Sequence, residues 1–325
     1  MKNAYLGIDV GSISVNLVLV DESGELLLKS YLRTRGRPLE VMRSGLREMA
    51  RGMDGEVAVL GVGATGSGGN LAGVVAGADV IKNEITAHAV AALHVAPEVR
   101  TVIEIGGQDS KCTILSDGML VDFAMNAVCA AGTGSFLDQQ AHRLGIPIEE
   151  FGAHALRARK PVKIAGRCTV FAESDMIHKQ QMGHGVEDII AGLCDALVRN
   201  YLSNLVKSRR LREPVLFQGG VAANAGMRAA FERVLGVELI VPPHFEVMGA
   251  LGAALLARDG AKGGGRARSI GLEIAEVDYG LQSFDCDGCS NNCEVVEVGI
   301  PGKDGSKRSV RWGDRCGKWA DGGGS

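Results

Sequence analysis

One pattern occurs twice in this chain and limits the fold more than any other feature. An apolar strand ends in an acidic residue, one residue follows, and a glycine then begins a turn into a second strand; the copies are Asp9-Val10-Gly11 and Glu104-Ile105-Gly106. A glycine at this position lets the turn close tightly on a ligand. A supersecondary unit that recurs in this way indicates a duplicated fold of two related lobes.

Strand and helix patterns alternate around the two copies. Apolar runs bounded by turn residues predict strands, and apolar positions three or four residues apart predict helices. The predicted strands lie within residues 5–20, 25–33, 56–63, 102–115 and 214–218, and the predicted helices are 39–52, 83–95, 136–144, 170–182 and 186–207. This alternation predicts an α/β fold, and a hydrophobic content of 46% is sufficient for two cores.

The composition changes after residue 257. Residues 259–266 are rich in glycine, which is typical of a flexible linker. A polar segment with four of the eight cysteines follows. The predicted parts are a two-lobed domain over 1–258 (one lobe of 1–85 with a helix over 246–258, the other of 86–245), a linker over 259–270 and a small cysteine-rich metal-binding segment over 271–325.

The two glycine turns predict a nucleotide-binding site. Successive backbone N–H groups in such turns can bind phosphate oxygens, and a carboxylate beside them can hold a hydrated magnesium ion. Asp9 and Glu104 occupy that place. The expected phosphate contacts are Gly11, Ser12, Ile13, Ser14, Gly106 and Gly107, with Lys111 as a weaker one.

The second turn also carries groups suited to phosphoryl transfer. Gln108 has the donor and the acceptor that are needed to orient an attacking water, and Asp109 can hold a metal ion or water. Phosphoryl transfer depends mostly on positioning and charge neutralisation. Glu104, Gln108 and Asp109 are therefore the expected catalytic residues.

A third glycine pair follows the predicted strand at 214–218 and precedes a helix. A bare backbone at such a junction can lie against adenosine, and a further glycine lets another helix pack closely nearby. The residues expected to contact nucleotide in this region are Gly219, Gly220, Val221, Asn224 and Gly249.

Each glycine motif taken alone is more simply interpreted as a turn. Three of them in order favour a nucleotide site. The two rival phosphate motifs are rejected, because the chain has no Walker A sequence and the GxGxxG at residues 61–66 is followed by glycines instead of a helix-forming run.

The overall charge and the amino terminus argue against other classes of protein. A net charge of −3, from 35 basic and 38 acidic residues, offers no broad basic surface for nucleic acid or an anionic membrane. The first strand reaches Asp9 too early for a signal peptide, and no apolar run approaches the ~18 residues of a membrane span. We therefore expect a cytoplasmic protein whose cysteines are metal ligands or buried thiols. The seven histidines are scattered, and we expect no role for them.

Two cysteines precede predicted helices. Cys129 and Cys168 lie where the N-terminal amides of a helix favour a thiolate or an anionic cluster. Two thiolates cannot complete a cubane that needs four, so a cluster here requires either other cysteines or a symmetric second copy. The alternative is that both are small buried hydrophobic residues, which is our expectation for Cys112 and Cys194.

The tail has the strongest metal-binding spacing. Cys286, Cys289 and Cys293 lie close together, and Cys316 follows after a short interval. Four thiolates suit either a tetrahedral zinc site or a second iron–sulfur cluster. A short polar segment also needs such a staple to fold well.

Five stretches together resemble one family. They are GIDVGS at 7–12, EIGGQDSK at 104–111, CAAGTGSFLD at 129–138, CTVFAES at 168–174 and GGVA at 219–222. Over residues 4–257 the chain resembles the activator ATPases of 2-hydroxyacyl-CoA dehydratases and the related ATPase subunits of benzoyl-CoA reductases. The resemblance implies a two-lobed actin-like and sugar-kinase-like ATPase fold, which is a duplicated ribonuclease-H-like arrangement.

The same resemblance implies an oxygen-sensitive homodimer that couples hydrolysis of ATP to ADP, with Mg²⁺, to electron transfer. One 4Fe–4S cluster on the dimer axis is then ligated by Cys129 and Cys168 of each subunit. The implied electron donor is a reduced ferredoxin or flavodoxin. The implied acceptor is an iron–sulfur partner, either a 2-hydroxyacyl-CoA dehydratase, a benzoyl-CoA reductase or a double-cubane-cluster protein.

Two other functions would use the same nucleotide residues. A small-molecule kinase of the same superfamily needs a substrate pocket and a base in addition. A non-catalytic nucleotide-sensing scaffold, organised by zinc in the tail, predicts nucleotide binding with negligible turnover.

Overall fold

The computed structural model describes residues 2–52, 57–126, 130–166, 168–207, 209–262, 279–301, 307–316 and 318–319. The chain divides into two units, of which the first combines Met1–Asn83 with Gly249–Ser325 and the second is Glu84–Met248. Each unit contains a five-stranded sheet.

The sheet of the first unit has the order β3-β2-β1-β4-β5. Strands β1, β2 and β3 form an antiparallel meander, whereas β4 and β5 run parallel to β1. The helix α1 buries Leu39, Met42, Leu46 and Met49, whose spacing of three or four residues creates one apolar face. The elements of this part are β1 (Lys2–Val10), β2 (Ser14–Val20), β3 (Leu26–Arg33), α1 (Pro38–Gly52), β4 (Val57–Thr65), α2 (Gly69–Ala76) and β5 (Val80–Ile81).

The sheet of the second unit has the order β10-β9-β6-β7-β8. Here too a meander, β6-β7-β8, is joined to parallel strands, β9 and β10. The helix α7 lies in the centre of this core, because its apolar residues are buried on several sides. The elements are α3 (Glu84–Val95), β6 (Thr101–Ile105), β7 (Ser110–Ser116), β8 (Met119–Asn126), α4 (Gly134–Leu144), α5 (Ile148–Leu156), α6 (Thr169–Gln181), α7 (Val186–Tyr201), β9 (Val215–Gln218), α8 (Ala225–Leu235) and β10 (Leu239–Ile240).

The two sheets have the same plan: three antiparallel strands, then two parallel ones, with the acidic residue near or at the end of the central strand. The duplicated α/β fold predicted from the repeated pattern is therefore confirmed.

The helix α9 (Met248–Lys262) packs on the first sheet at two glycines. Gly7 and Gly63 are neighbours in the register of β1 and β4. A Cβ atom added to Gly7 would lie 1.8 Å from the Ala250 carbonyl oxygen, and one added to Gly63 would lie 2.0 Å from that of Ala253. The backbone of α9 thus lies directly on the backbone of the sheet, where only glycine fits.

The structure corrects part of three expectations. The GxGxxG at 61–66 is followed by a helix, α2, but Gly61 and Gly63 lie inside β4 and pack on α9 instead of forming a phosphate turn. The linker expected from residue 259 is helical to Lys262, and the rest of it lies outside the described residues. The helix expected over 186–207 is α-helical only to Tyr201 and continues as a π-helical turn, Leu202–Val206.

The described part of the tail forms an antiparallel sheet of three strands, β11 (Gly280–Asp285), β12 (Glu294–Pro301) and β13 (Lys307–Trp312). Val298 of β12 is buried in the apolar core of the first unit. The Arg43 guanidinium also lies 5.8 Å from the centre of the Tyr279 ring. The tail is therefore attached within the first unit by an apolar contact and a cation–π contact, neither of which involves its cysteines.

No helix within the described residues is both long enough and apolar enough to cross a membrane. The cytoplasmic location stays a prediction.

Candidate nucleotide and thiol sites

A buried lysine organises the acidic residues of the second unit. Glu104 of β6 and Lys111 of β7 are partners in the antiparallel register, so their side chains lie side by side. The Lys111 Nζ atom lies 2.9 Å from Glu104 Oε1, 3.0 Å from Asp109 Oδ1 and 3.4 Å from Glu84 Oε2. Lys111 is only 1% exposed. Its ammonium group is thus directed at three carboxylates, which weakens its expected role as a phosphate contact.

The other oxygen of Glu104 faces a histidine. Glu104 Oε2 lies 3.2 Å from His88 Nδ1, and Gln218 Nε2 lies 2.7 Å from the same ring nitrogen. Both oxygens of Glu104 therefore have side-chain neighbours. Asp109, with 27% of its side chain exposed, is the more accessible carboxylate for water or a metal ion.

Glu84, His88 and Gln218 were not expected at this site. Glu84 and His88 are four residues apart on α3, so they share one face of that helix. That spacing was a usable signal, since a buried acid and a histidine on one face need polar partners. Gln218 gave a weaker signal as a polar residue at the end of a buried strand.

The charges of this cluster shift the pKa values in opposite directions. Burial tends to lower the pKa of Lys111, but Glu104, Asp109 and Glu84 outweigh it and hold that pKa above its ordinary value. Burial tends to raise the pKa of Glu104, but His88 and Lys111 outweigh it and hold that pKa below its ordinary value. For Glu84 burial is the dominant effect, and its pKa is raised.

The turn between β6 and β7 is held by backbone hydrogen bonds, both within the turn and to the start of α4. The Gly106 amide donates to the Asp109 carbonyl at 2.9 Å. The carbonyls of Gly106 and Gly107 accept from the amides of Gly134 and Ser135 at the start of α4, each at 2.9 Å. Gln108 is exposed at the tip of the turn. This arrangement leaves Gln108 free to meet a ligand, as its predicted catalytic role requires.

The corresponding site in the first unit is centred on Asp9, which is 8% exposed at the end of β1. The Asn16 side-chain amide donates to Asp9 Oδ2 at 3.3 Å. A Cβ atom on Gly66, which has φ +93°, would lie 2.4 Å from Asp9 Oδ1, so only glycine fits beside this oxygen.

The turn after Asp9 contains the expected phosphate contacts Gly11, Ser12, Ile13 and Ser14. The Gly11 amide donates to the Ser14 carbonyl at 2.9 Å. The Thr34 hydroxyl donates to the Ser12 carbonyl at 2.9 Å, and the Thr34 amide donates to the Ile13 carbonyl at 2.9 Å. These bonds turn the carbonyls toward Thr34 and fix the shape of the loop.

The third glycine pair follows β9 as expected. Gly219 has φ +87°, and a Cβ atom there would lie 2.5 Å from the Ile105 carbonyl oxygen. Gly220–Ala223 form a 3₁₀ turn in which the Val221 side chain is buried, so this residue offers only its backbone to a ligand. Gly249 lies within the first turn of α9.

Asn224 has a structural task that the sequence analysis missed. Its Oδ1 atom accepts from the Met227 amide at 3.0 Å and caps α8. Its buried Nδ2 atom has no hydrogen-bond partner within the described residues. The position therefore serves the helix, and nucleotide binding by Asn224 stays a prediction.

We expect Asn224→Ala to lower the free energy of unfolding by about 1 kcal/mol, because the helix loses its cap. Asn224→Asp keeps the capping oxygen and is the matched control. Urea unfolding and ADP titration measure both effects. If Asn224→Asp binds ADP normally and Asn224→Ala binds it more weakly, Asn224 affects nucleotide binding only through its cap on α8. Equal weakening in both variants would indicate that the Nδ2 atom contacts nucleotide.

Cys168 is the N-cap residue of α6, and its side chain is half-buried. A thiol at the start of a 13-residue helix has the location expected of a thiolate ligand. Cys129 lies outside the described residues; the residues that follow it form a 3₁₀ turn, Ala130–Gly132, that leads into α4. Cys112 and Cys194 are buried, and burial raises their pKa values to about 11 and about 12. Both therefore belong to the core, as expected.

The four tail cysteines do not converge in this structure. Across the described residues, which include all four, no three His, Cys, Asp or Glu side chains are arranged to hold a metal ion. Cys286 is buried and accepts from the Trp319 indole N–H at 3.3 Å, which lowers its pKa. Cys289 and Cys316 are exposed, and Cys293 is half-buried. The expected tetrathiolate site is thus absent from this arrangement of the side chains, and metal binding by the tail stays a prediction.

Comparison with known proteins identifies the relatives of this chain. It is 36% identical over 264 residues to the 2-hydroxyisocaproyl-CoA dehydratase activator of Clostridioides difficile, a match that covers 79% of this chain and 96% of the relative. It is also 36% identical over 263 residues to the (R)-2-hydroxyglutaryl-CoA dehydratase activating ATPase of Acidaminococcus fermentans, covering 78% of this chain and 96% of that protein.

A solved structure agrees with these relatives. The activator of the 2-hydroxyisocaproyl-CoA dehydratase from Clostridium difficile, with bound ADPNP, superposes with a TM-score of 0.73 at 34% identity, covering 80% of this chain and 96% of that one. The predicted actin-like ATPase fold is confirmed by this likeness. Residues 6–257, which are most of the chain, match the model of the BadF/BadG/BcrA/BcrD ATPase family, and the chain therefore belongs to that family.

Proposed function

We propose that this protein hydrolyses ATP and uses the reaction to deliver low-potential electrons to an iron–sulfur partner enzyme. Two relatives that share 36% of their residues with it are named as a dehydratase activator and a dehydratase-activating ATPase. The observation on the molecule that carries the proposal is the half-buried thiol of Cys168 at the N-cap of α6. The alternative of a small buried hydrophobic residue suits Cys168 less well, because its side chain is only half-buried.

ATP with Mg²⁺ is proposed to contact the two acidic turns. Asp9 would hold the magnesium ion through water, and the backbone amides of both turns would bind phosphates. Gln108, exposed at the tip of its turn, would orient the attacking water. Asp109 would hold water or metal, since 27% of its side chain is exposed, whereas Glu104 is buried between Lys111 and His88. The backbone of Gly219–Val221 would lie against adenosine.

We propose a 4Fe–4S cluster held by Cys129 and Cys168 of each of two copies. The donor set fits in chemistry, because cysteine sulfur is the usual ligand of iron–sulfur clusters and Cys168 lies half-buried at the N-cap of α6. One chain supplies only two such thiols, so four ligands require the second copy. When bound, the cluster supplies one-electron transfer at low potential.

The partners proposed are a reduced ferredoxin or flavodoxin as electron donor and an iron–sulfur enzyme as acceptor. The acceptor class is that of the 2-hydroxyacyl-CoA dehydratases, the benzoyl-CoA reductases or the double-cubane-cluster proteins. A small-molecule kinase is the less favoured alternative, because two relatives that match over 96% of their own length are a dehydratase activator and a dehydratase-activating ATPase.

The test of this function is the metal content of protein purified without oxygen. We expect a brown protein with about four iron atoms per two chains, and we expect Cys168→Ala to lose nearly all of this iron and colour. Cys289→Ala is the matched control, since that exposed cysteine lies in the tail outside the family match. Iron and zinc are counted by mass spectrometry.

Three results would contradict the proposal. A colourless wild-type protein that hydrolyses ATP would indicate a kinase or another ATPase. Iron that persists in Cys168→Ala but is lost in Cys289→Ala would place the metal in the tail. ATP bound without turnover would favour the scaffold.

A further inference from the structure

Three consecutive residues at the C-terminal end of α7 hold two different parts of the second unit. Arg199 Nη2 donates to the Ile164 carbonyl at 2.5 Å, and Asn200 Nδ2 donates to the Gly166 carbonyl at 2.7 Å. The Tyr201 hydroxyl donates to the Lys111 carbonyl at 2.7 Å. Successive residues of a helix point about 100° apart, so one turn can reach separate neighbours.

The first of these parts is the segment that leads to Cys168. Residues 164–166 come just before that cysteine, and the Ala165 amide also donates to Asp175 Oδ2 of α6 at 2.8 Å. A Cβ atom on Gly166 would lie 2.9 Å from the Ala196 carbonyl oxygen of α7, so the two backbones are in close contact. The segment is therefore fixed between α7 and the helix that Cys168 caps.

The second part is the strand that carries the buried lysine. The carbonyl bound by Tyr201 belongs to Lys111, whose ammonium group lies within 3.0 Å of Glu104 and Asp109. Tyr201 and Asn200 are 0% and 1% exposed. The Tyr201 ring packs edge-on against Phe231 at 5.3 Å. Because these side chains are buried and hydrogen-bonded in a close-packed core, β7 and α7 are firmly connected at this point.

The helix changes its geometry directly after these residues. Leu202–Val206 form a π-helical turn, and Lys207 has φ +47°. Turns of π-helix are rare in proteins, and many of those that occur lie at functional sites. The irregular turn thus marks the end of α7 where both sets of hydrogen bonds are made.

We propose that Arg199, Asn200 and Tyr201 are positioning residues that set the place of the Cys168 segment relative to the Lys111 cluster, so that nucleotide bound at the Gly106–Asp109 turn alters the surroundings of the Cys168 thiol. The proposal rests on the proposed function for the location of the nucleotide. It needs no bound iron, because every contact that carries it is made by the protein itself.

The test measures how fast iodoacetamide modifies Cys168 in the full chain purified in air. The modified peptide is quantified by mass spectrometry, with and without saturating Mg²⁺–ADPNP. We expect the nucleotide to change this rate about fivefold in the wild-type protein, a typical size for coupling between two sites. Tyr201→Phe, which keeps the ring and removes the hydroxyl, is expected to bring the ratio close to one while ADPNP still binds.

Ser203→Ala is the matched control, because it removes the hydroxyl of an exposed residue, which donates to the Asn200 carbonyl one turn before it at 3.1 Å. The control is expected to keep the wild-type ratio. Arg199→Lys provides a second variant, which tests the Cys168 side of the connection if Tyr201→Phe does not fold. An unchanged ratio in these variants, an equal loss in Ser203→Ala or a wild-type rate insensitive to ADPNP would overturn the inference. Absence of iron in the oxygen-free protein would instead overturn the electron-transfer function and leave this labelling result standing.

Discussion

Gly63→Ala is expected to lower the free energy of unfolding by more than about 4 kcal/mol, a size reserved for severe packing defects. The added Cβ atom would lie 2.0 Å from the Ala253 carbonyl oxygen and 2.7 Å from its carbonyl carbon. Both are backbone atoms of α9, so no side-chain rotation relieves the overlap. Since domains are stable by only about 5–15 kcal/mol, much of the variant should be insoluble or unfold at low urea.

Gly260→Ala is the matched control for this prediction, because Gly260 lies on α9 and a Cβ atom there would meet nothing within 4 Å. We expect it to stabilise the protein by about 0.5–1 kcal/mol, the usual gain from alanine over glycine inside a helix. Urea unfolding followed by circular dichroism measures both variants. Wild-type stability of Gly63→Ala would show that α9 does not lie directly on β4.

Lys111→Met is expected to destabilise the protein by about 3–5 kcal/mol, the range for removing one partner of a buried ion pair. Glu104 would remain buried with His88 as its nearest basic group, and Asp109 and Glu84 would repel it. A displaced Asp109 should also slow ATP hydrolysis about 100-fold, as expected when a positioned group moves by an ångström. Urea unfolding and phosphate release measure the two effects separately.

Two further variants make this prediction specific. Adding Glu84→Gln to Lys111→Met removes one repelling carboxylate and should restore part of the lost stability, a non-additive effect expected of groups in contact. Lys160→Met changes an exposed lysine and should stay within about 0.5 kcal/mol of the wild type. If Lys111→Met only weakens ATP binding and leaves stability intact, Lys111 is a phosphate contact after all.

The dependence on pH follows from the directions of the two pKa shifts. The pKa of Lys111 is raised, so its contribution is complete below its unfolded value of about 10.4 and is lost as the pH rises through the folded value. The pKa of Glu104 is lowered, so its contribution is complete above about 4.3 and is lost as the pH falls through the folded value. The stability difference between wild type and Lys111→Met should therefore be constant near neutral pH and shrink in acid.

The duplicated fold was accessible to sequence analysis because its signal is local. An acid, one residue and a glycine between two apolar strands describe a tight turn without knowledge of distant residues. The same hairpin implies the pairing of Glu104 with Lys111, because the two residues lie one pair beyond Ile105 and Ser110, which flank a four-residue turn. The expectation that Lys111 contacts phosphate took no account of this pairing or of the low exposure of the Lys111 side chain.

The missing residues of the site are those that arrive from elsewhere in the chain. His88 reaches Glu104 from α3, and Gln218 reaches His88 from β9, at a sequence separation of 130 residues. Gly61 and Gly63 resemble part of a phosphate motif in sequence, but their partner is α9, a helix near the end of the family match. Packing between remote segments has no local signature, and a single sequence therefore does not reveal it.

The contact of α9 with Gly7 and Gly63 also has a consequence for synthesis on the ribosome. The first unit needs residues from both ends of the family match, so β1 and β4 leave the exit tunnel long before the helix that covers them. At about 5–20 residues per second, translation of Glu84–Met248 takes on the order of ten to thirty seconds. During that time the second unit, which is continuous, can fold, while the first sheet of the nascent chain lacks the helix that covers one of its faces.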